Sequence, residues 1–122
     1  MADYNPLGRT RNEREELHGG EGQPKRSVGN SDFEQAVWDT MRELGDLLLS
    51  KHRDYGPKNI SDSPGGALNG LRVRMHDKTA RINHLIDSGA TPENESLRDS
   101  FIDLLNYSAI ALMVLDGKWP RE

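Results

Sequence analysis

The chain has 122 residues, 34% of them hydrophobic and 30% charged, which suits one small domain with a thin core that a homo-oligomer (a dimer or a tetramer) would complete. Its net charge of -4 and pI near 5.6 argue against general nucleic-acid binding, so no direct nucleic-acid partner is expected. The absence of cysteine fits a cytoplasmic protein, and no apolar run reaches the roughly 18 residues of a membrane span, so no membrane partner is expected either.

Residues 1–30 are predicted to form a flexible, disordered arm. They contain five basic and five acidic residues and almost no large apolar side chain, so they cannot offset the entropy lost on folding alone. The first helix is predicted to begin at Ser31, because Ser31 and Glu34 have the spacing of a capping box and apolar residues then recur at helical intervals. It should end near residues 52–54, since a Gly-Pro pair follows.

Two further helices are predicted after an irregular connection. The connection is the segment 53–66, which is rich in turn residues. Ser-Pro at 63–64 is typical of a helix cap and first residue, and this second helix should run to Gly89. Thr-Pro at 91–92 repeats the pattern, so a third helix is predicted from there to Asp116.

The predicted fold class is therefore all-α, a bundle of three long helices. No stretch alternates polar and apolar residues in the manner of a strand. The second half of the third helix, residues 107–115, is apolar nearly all round, so it should be buried on more than one side. A second copy of the chain is the simplest cover for that surplus, which predicts a dimeric bundle.

Polar residues of the predicted third helix share one face. Glu95, Asp99, Asp103 and Asn106 are three or four residues apart, and the same face then turns apolar. Carboxylates one turn apart repel each other, so a helix that leads them toward buried positions indicates a cation, a basic partner or a wet cleft. A divalent metal is one interpretation, and an acidic helix start without any site is the other.

The predicted second helix presents cations that could face these acids. Arg74, Asp77, Lys78 and Arg81 share a face by the same spacing. In one interpretation the cations neutralise the acids in ion pairs between helices, and nothing is bound. In the other, the acids hold Mg²⁺, which prefers oxygen ligands, while the cations hold phosphate oxygens. These residues alone slightly favour the ion pairs.

The connection between the first two helices carries an aromatic residue among phosphate-seeking side chains. Tyr55 is surrounded by Lys51, Arg53, Lys58 and Asn59. This composition is typical of an aromatic ring for stacking beside hydrogen-bond donors that bind phosphate. A tight turn with the ring packed on the bundle would explain Tyr-Gly-Pro equally well.

Three ordered motifs resemble a known family. They are Lys51-x-x-x-Tyr55-Gly56, Arg74-Met-x-Asp77-Lys78-x-x-Arg81, and Glu95-Ser-x-x-Asp99-x-x-x-Asp103-Leu-x-Asn106-Tyr107. Over about residues 40–116 the chain resembles the phage and bacterial nucleotide modification associated domain family, first type. That family is similar in turn to the all-α nucleoside triphosphate pyrophosphatases, the MazG and dUTPase-like group.

The resemblance implies a Mg²⁺-dependent nucleotide pyrophosphohydrolase that acts on free nucleotides or deoxynucleotides. It implies a nucleotide-binding domain over residues 31–117, followed by a C-terminal tail at residues 118–122. The implied catalytic residues are Asp77, Asp99 and Asp103, and the implied metal ligands are these three together with Glu95. The implied substrate-binding residues are Lys51, Arg53, Tyr55, Lys58, Asn59, Arg74, Lys78, Arg81 and Asn106.

The chain departs from the larger group on its second helix. That group usually carries two acids a turn apart there, whereas this chain has Asp77 followed by Lys78 and Arg81. Fewer acids and more cations favour an alternative with the same fold, a sensor or sponge that holds a nucleotide without cleaving it, in competition between phage and host. A third hypothesis is an adaptor whose arm docks on a protein.

Overall fold

The computed structural model describes residues 28–122, and every regular element in that range is a helix. The helices are α1 (Val28–Tyr55), α2 (Lys58–Ser61), α3 (Ala67–Ser88) and α4 (Leu97–Leu115). The prediction of an all-α chain with three long helices is therefore confirmed for these residues. The predicted arm lies outside the described residues, except for residues 28–30, which belong to the first turn of α1.

The described residues fall into two units, one that ends at Trp38 and one from Asp39 to Glu122. In the first unit the described part is the beginning of α1, where Phe33 and Trp38 are more than half exposed. The second unit holds the rest of α1 and the helices α2 to α4. None of the helices described in residues 28–122 is long and apolar enough to span a membrane.

The start of α4 differs from its prediction. α4 begins at Leu97 because Ser96 is its N-cap: Ser96 Oγ accepts the Asp99 N–H at 3.0 Å, and Asp99 Oδ2 accepts the Ser96 N–H at 3.3 Å. The predicted start at the Thr-Pro pair is therefore wrong. As a consequence Glu95 lies in the loop before α4, and it does not belong to the predicted helical stripe of acids.

The connection between α1 and α3 is more ordered than predicted. It contains α2, and α3 begins at Ala67, after Gly66 and not directly after the Ser-Pro pair. Ser63 packs against the first turn of α3 at Gly70, where an added Cβ would lie 2.4 Å from Ser63 Oγ. Only glycine permits this close approach, which holds the connection against α3.

The core of the second unit is small and contains residues of three helices. Ile60 of α2, Leu71 of α3 and Ile110 of α4 are buried together. Partly buried residues pack around them: Leu48, Ala67, Tyr107, Ala111, Met113, Val114 and Trp119. Each fully buried Leu or Ile side chain contributes roughly 1.5–3 kcal/mol. α3 and α4 form the most extensive pair among the described helices, so this pair is the main support of the second unit.

Candidate functional site

A pocket of about 280 Å³ is lined by residues of α1 to α4 and of the C-terminal segment. α1 and α4 each contribute residues at positions i, i+3, i+4 and i+7, which lie on one helical face. These are Leu48, Lys51, His52 and Tyr55 from α1, and Asp103, Asn106, Tyr107 and Ile110 from α4. Gly56, Asn59, Ile60, Arg74 and Trp119 complete the lining.

The charged groups of the lining are two cations and one carboxylate. Lys51 Nζ donates to Asp103 Oδ1 at 3.0 Å, and the lysine side chain is half exposed whereas the aspartate is only 12% exposed. Arg74 Nη2 donates to the Asn59 carbonyl oxygen at 2.9 Å, which ties α3 to α2 at the pocket. The excess of cations over acids favours an anionic ligand.

Aromatic rings and the side-chain amides of Asn59 and Asn106 form the rest of the polar lining. Asn106 is buried, and its Nδ2 donates to the Leu44 carbonyl oxygen at 3.3 Å. Trp119 Nε1 donates to the Pro57 carbonyl oxygen at 3.2 Å. The His52 ring packs edge-on against the indole ring, with 5.2 Å between the two ring centroids. Tyr55 lines the pocket with 68% of its surface exposed. Such rings offer flat faces on which a nucleobase can stack.

A second group of charged and polar side chains lies beside the pocket, and its members bind one another and Asp103. Lys78 Nζ binds Glu95 Oε1 at 2.8 Å and Asp103 Oδ2 at 2.9 Å. Arg81 donates to the Glu95 carbonyl oxygen and, at 2.8 Å, to Ser100 Oγ. Ser100 is fully buried, and its hydroxyl group donates to Glu95 Oε2 at 2.8 Å. We call Lys78, Arg81, Glu95 and Ser100 the ion-pair cluster.

Asp103 joins the pocket to the ion-pair cluster. Burial raises the pKa of Asp103, but hydrogen bonds from Lys78 and Lys51 outweigh burial and hold that pKa below its usual range. Burial lowers the pKa of Lys78, but hydrogen bonds to Glu95 and Asp103 outweigh burial and raise it. Both groups are therefore charged at neutral pH.

The structure brings about half of the predicted site residues together. Those that line the pocket are Lys51, Tyr55, Asn59, Arg74, Asp103 and Asn106. Lys78 reaches the pocket only through Asp103, and Arg81 binds the loop before α4 instead. Arg53 and Lys58 are exposed and lie outside the lining.

The predicted metal ligands do not converge. Asp77 is exposed on α3, and Asp99 uses its carboxylate in the cap of α4. Glu95 and Asp103 share Lys78, whose ammonium group binds both of them. Among residues 28–122, no three His, Asp or Glu side chains are placed to hold a metal ion. As placed, Glu95 and Asp103 fit an ammonium group and do not fit Mg²⁺. The Mg²⁺ cofactor rests on the family resemblance and stays a prediction.

Residues 30–115 match the family described as nucleotide modification associated domain 1. The chain belongs to this family. The matched range contains all three motifs and all the pocket residues except Trp119, and it confirms the resemblance drawn from those motifs. Comparison with curated proteins and with solved structures gives no match. The similarity to MazG-like pyrophosphatases remains a prediction.

The pocket of this nucleotide modification associated domain also contains residues that were not among the predicted site residues. His52 and Tyr107 share helical faces with predicted residues, so helical spacing could have found them. Trp119 carried no such signal, because it lies beyond α4 in the segment predicted to be a tail. It reaches the pocket only because the chain turns after α4, where Gly117 has φ 70° and the Lys118 N–H donates to the Met113 carbonyl oxygen at 2.8 Å.

Proposed function

We propose that this protein binds a free phosphorylated nucleotide in the pocket and holds it without cleaving it. The observation that supports this proposal is the lining itself, which combines two cations, a single carboxylate that is already paired, and several aromatic rings. A nucleotide presents the complementary groups, an anionic phosphate and a flat, polar base. The family to which the chain belongs is described in terms of nucleotide modification, which agrees with a nucleotide as ligand.

The phosphate is assigned to Lys51 and Arg74. Lys51 is half exposed, so its ammonium group can turn from Asp103 to a phosphate oxygen while Asp103 keeps Lys78 as its partner. Arg74 is held by the Asn59 carbonyl oxygen, which fixes its guanidinium group before the ligand arrives. Charge-assisted hydrogen bonds of this kind are stronger than neutral ones.

The base is assigned to the aromatic and amide side of the pocket. The volume of about 280 Å³ lies near the lower end of small-molecule sites, which span roughly 300–1,000 Å³. It suits a base and sugar, with the phosphates at the cations. Tyr55 or Tyr107 would stack on the base, and Asn106 or Asp103 would form hydrogen bonds with its edge.

The second candidate function is a Mg²⁺-dependent pyrophosphohydrolase of cytoplasmic nucleotide metabolism, in the host cytoplasm if a phage encodes the chain. One observation favours it: Asp103 is an ionised carboxylate in the pocket lining, the type of group that can hold a metal ion or orient water. Its two oxygens already accept from two lysines, and no second acid of the described residues joins it in the lining. Binding without hydrolysis therefore has the stronger support.

A nucleotide panel separates the candidate functions. The full chain is mixed with nucleosides and with nucleoside mono-, di- and triphosphates, with and without Mg²⁺, and each mixture is tested for a shift in Tm and then resolved by chromatography. Binding predicts a raised Tm and unchanged nucleotide. Release of monophosphate and pyrophosphate would instead identify a pyrophosphohydrolase. If no nucleotide shifts the Tm, both candidates fail and the adaptor hypothesis gains support.

The contribution of Arg74 can be isolated with a matched control. Arg74→Ala removes a cation of the lining, whereas Arg72→Ala removes an arginine two residues away that binds Asn69 at 2.8 Å and does not line the pocket. We expect Arg74→Ala to weaken nucleotide binding about tenfold or more and Arg72→Ala to leave it unchanged. Equal effects of the two substitutions would contradict the assignment.

We also propose that the protein works as a homo-oligomer. α4 keeps apolar side chains exposed on a side that does not line the pocket, so a second copy can cover them without closing the site.

A further inference from the structure

One face of α4 is apolar although it lies outside the core. Phe101, Leu105, Leu112 and Leu115 are 49%, 43%, 55% and 65% exposed. With Ser108 they occupy positions i, i+4, i+7, i+11 and i+14, which lie in one row along the helix. We call these five residues the outer stripe. The buried residues of α4, such as Ile102 and Ile110, lie on the opposite side. α4 is thus apolar on two opposite faces.

We propose that the outer stripe packs against the outer stripe of a second copy of this chain, with the two α4 helices antiparallel and Ser108 at the twofold axis. This inference rests on the self-association proposed above and adds the surface and the symmetry. Two-fold interfaces use the same patch on both subunits, so that patch must be complementary to itself.

The pattern of the outer stripe meets that condition. When the helix is reversed about Ser108, Phe101 faces Leu115 of the partner subunit, and Leu105 faces Leu112 of the partner subunit. The smallest side chain of the stripe then lies where the two helices cross, which permits a close approach. Ser108 Oγ already donates to the Leu104 carbonyl oxygen at 3.0 Å, so the interface can bury this hydroxyl without leaving its donor unpaired.

The charges at the ends of α4 favour the antiparallel arrangement. Arg98 and Asp116 lie beyond opposite ends of the outer stripe and on the same edge of the helix. An antiparallel pair brings Arg98 close to Asp116 of the partner subunit, whereas a parallel pair would bring like charges together. Arg98 is held in place by Glu43, which accepts two hydrogen bonds at 2.6 and 2.7 Å. Between Leu104 and Leu115 no charged residue interrupts the apolar surface.

The area of the outer stripe indicates a dimer of limited affinity. Four side chains that are each about half exposed offer a few hundred Å², which is near the largest apolar patch of a typical monomer at roughly 300–600 Å². A standard interface buries about 800 Å² on each partner. The stripe supplies a large part of that area but not all of it, so the dimer should dissociate on dilution.

Sedimentation velocity of the full chain over a broad concentration range provides the first test. We expect a dimer that dissociates on dilution, Leu112→Glu to be monomeric throughout, and Val73→Glu to behave as the parent. Val73 is a matched control because it is 53% exposed and lies on α3. Circular dichroism would verify that each variant stays helical. If Leu112→Glu forms oligomers as readily as the parent chain, the outer stripe is not the interface, although self-association itself is then confirmed. A parent that is monomeric throughout overturns both.

Disulfide formation tests the antiparallel arrangement, because the chain has no cysteine of its own. Disulfides require Cβ atoms about 3.5–4.5 Å apart. Under mild oxidation, Phe101→Cys mixed with Leu115→Cys should give the mixed disulfide in preference to either homodimer, Ser108→Cys should cross-link to itself, and Val73→Cys should not cross-link. Phe101→Cys cross-linked to itself in preference to the mixed product would show a parallel pair and overturn the proposal.

Discussion

The pocket and the ion-pair cluster lie on either side of Asp103 and use the same kinds of charged side chain, but they balance them differently. In the ion-pair cluster, Lys78 and Arg81 are both bound by Glu95, and buried Ser100 completes the hydrogen bonds. In the pocket, Asp103 is the single carboxylate beside two cations: Lys51 binds one of its oxygens, Lys78 of the ion-pair cluster binds the other, and Arg74 binds the Asn59 carbonyl oxygen instead.

This difference separates a structural role from a binding role. Charges that satisfy each other fix the chain, and here they tie the loop before α4 to α3. A cation that is half exposed and shares its partner can exchange that partner for a phosphate. The comparison therefore predicts that substitutions in the ion-pair cluster lower stability, whereas substitutions of pocket cations lower affinity.

The largest effect on stability is expected for Lys78→Ala. Its removal leaves Glu95 and Asp103 without the ammonium group that both of them bind. We expect a loss of about 1–3 kcal/mol in the free energy of unfolding, less than the ~3–5 kcal/mol of a fully buried pair because solvent reaches this one. Urea denaturation measures it, with the exposed Lys58→Ala as control. A loss no larger than that of the control would show that the cluster is not structural.

Lys51→Ala should have the opposite profile. Asp103 keeps Lys78 as a partner, so we expect the free energy of unfolding to change by no more than about 0.5 kcal/mol. Nucleotide affinity should fall about tenfold, because a phosphate contact is lost. Calorimetric titration beside urea denaturation checks both. A variant that loses stability but retains affinity would reverse the roles that we assign to the two regions.

The acid limb of the stability profile should depend on Asp103. A carboxyl group whose pKa is lowered by folding stabilises the fold above its unfolded pKa of about 3.9, and this contribution is lost as the pH falls through the folded pKa. Asp103→Asn should therefore be less stable than the parent at neutral pH, and the difference should shrink below about pH 4. A difference that stays constant down to the lowest pH at which both chains fold would show that the ion pairs of Asp103 do not stabilise the protein.

The smallest effect is expected for Glu43→Ala. Arg98 lowers the pKa of Glu43 through their hydrogen bonds, but solvent reaches both side chains, which are 67% exposed for Arg98 and 45% exposed for Glu43. Exposed ion pairs contribute little to stability, so thermal unfolding should show no measurable change. A clear drop in Tm would show that the position of α1 along α4 depends on this pair.

The sequence predicted the helices better than the site. Helical periodicity and capping signals identified three long helices, and Gly89 and Asp116 marked the ends of α3 and α4 correctly. The start of α4 was misplaced because the prediction relied on Thr-Pro at 91–92, whereas the reciprocal hydrogen bonds of Ser96 and Asp99 cap the helix in the structure.

For the site, the sequence predicted the cations and Asp103, and its ion-pair interpretation included the observed pair of Lys78 with Asp103. It did not predict that Lys51 binds Asp103 or that Arg74 binds the Asn59 carbonyl oxygen. Glu95 and Asp99 looked like metal ligands because spacing alone cannot show that one binds Lys78 and the other caps α4. Trp119 was missed because its place in the pocket depends on how the chain turns after α4. Sequence patterns report which residues share a face, whereas pairing depends on contacts between elements.

A phosphorus NMR titration of a nucleoside triphosphate with the full chain and Mg²⁺ tests the central claim most directly, because it reports binding and cleavage together. Our account predicts that the phosphate resonances shift or broaden in a saturable way with the parent, do so much less with Lys51→Ala, and never give way to pyrophosphate. Resonances that do not respond to the parent, or that are replaced by those of monophosphate and pyrophosphate, would contradict it.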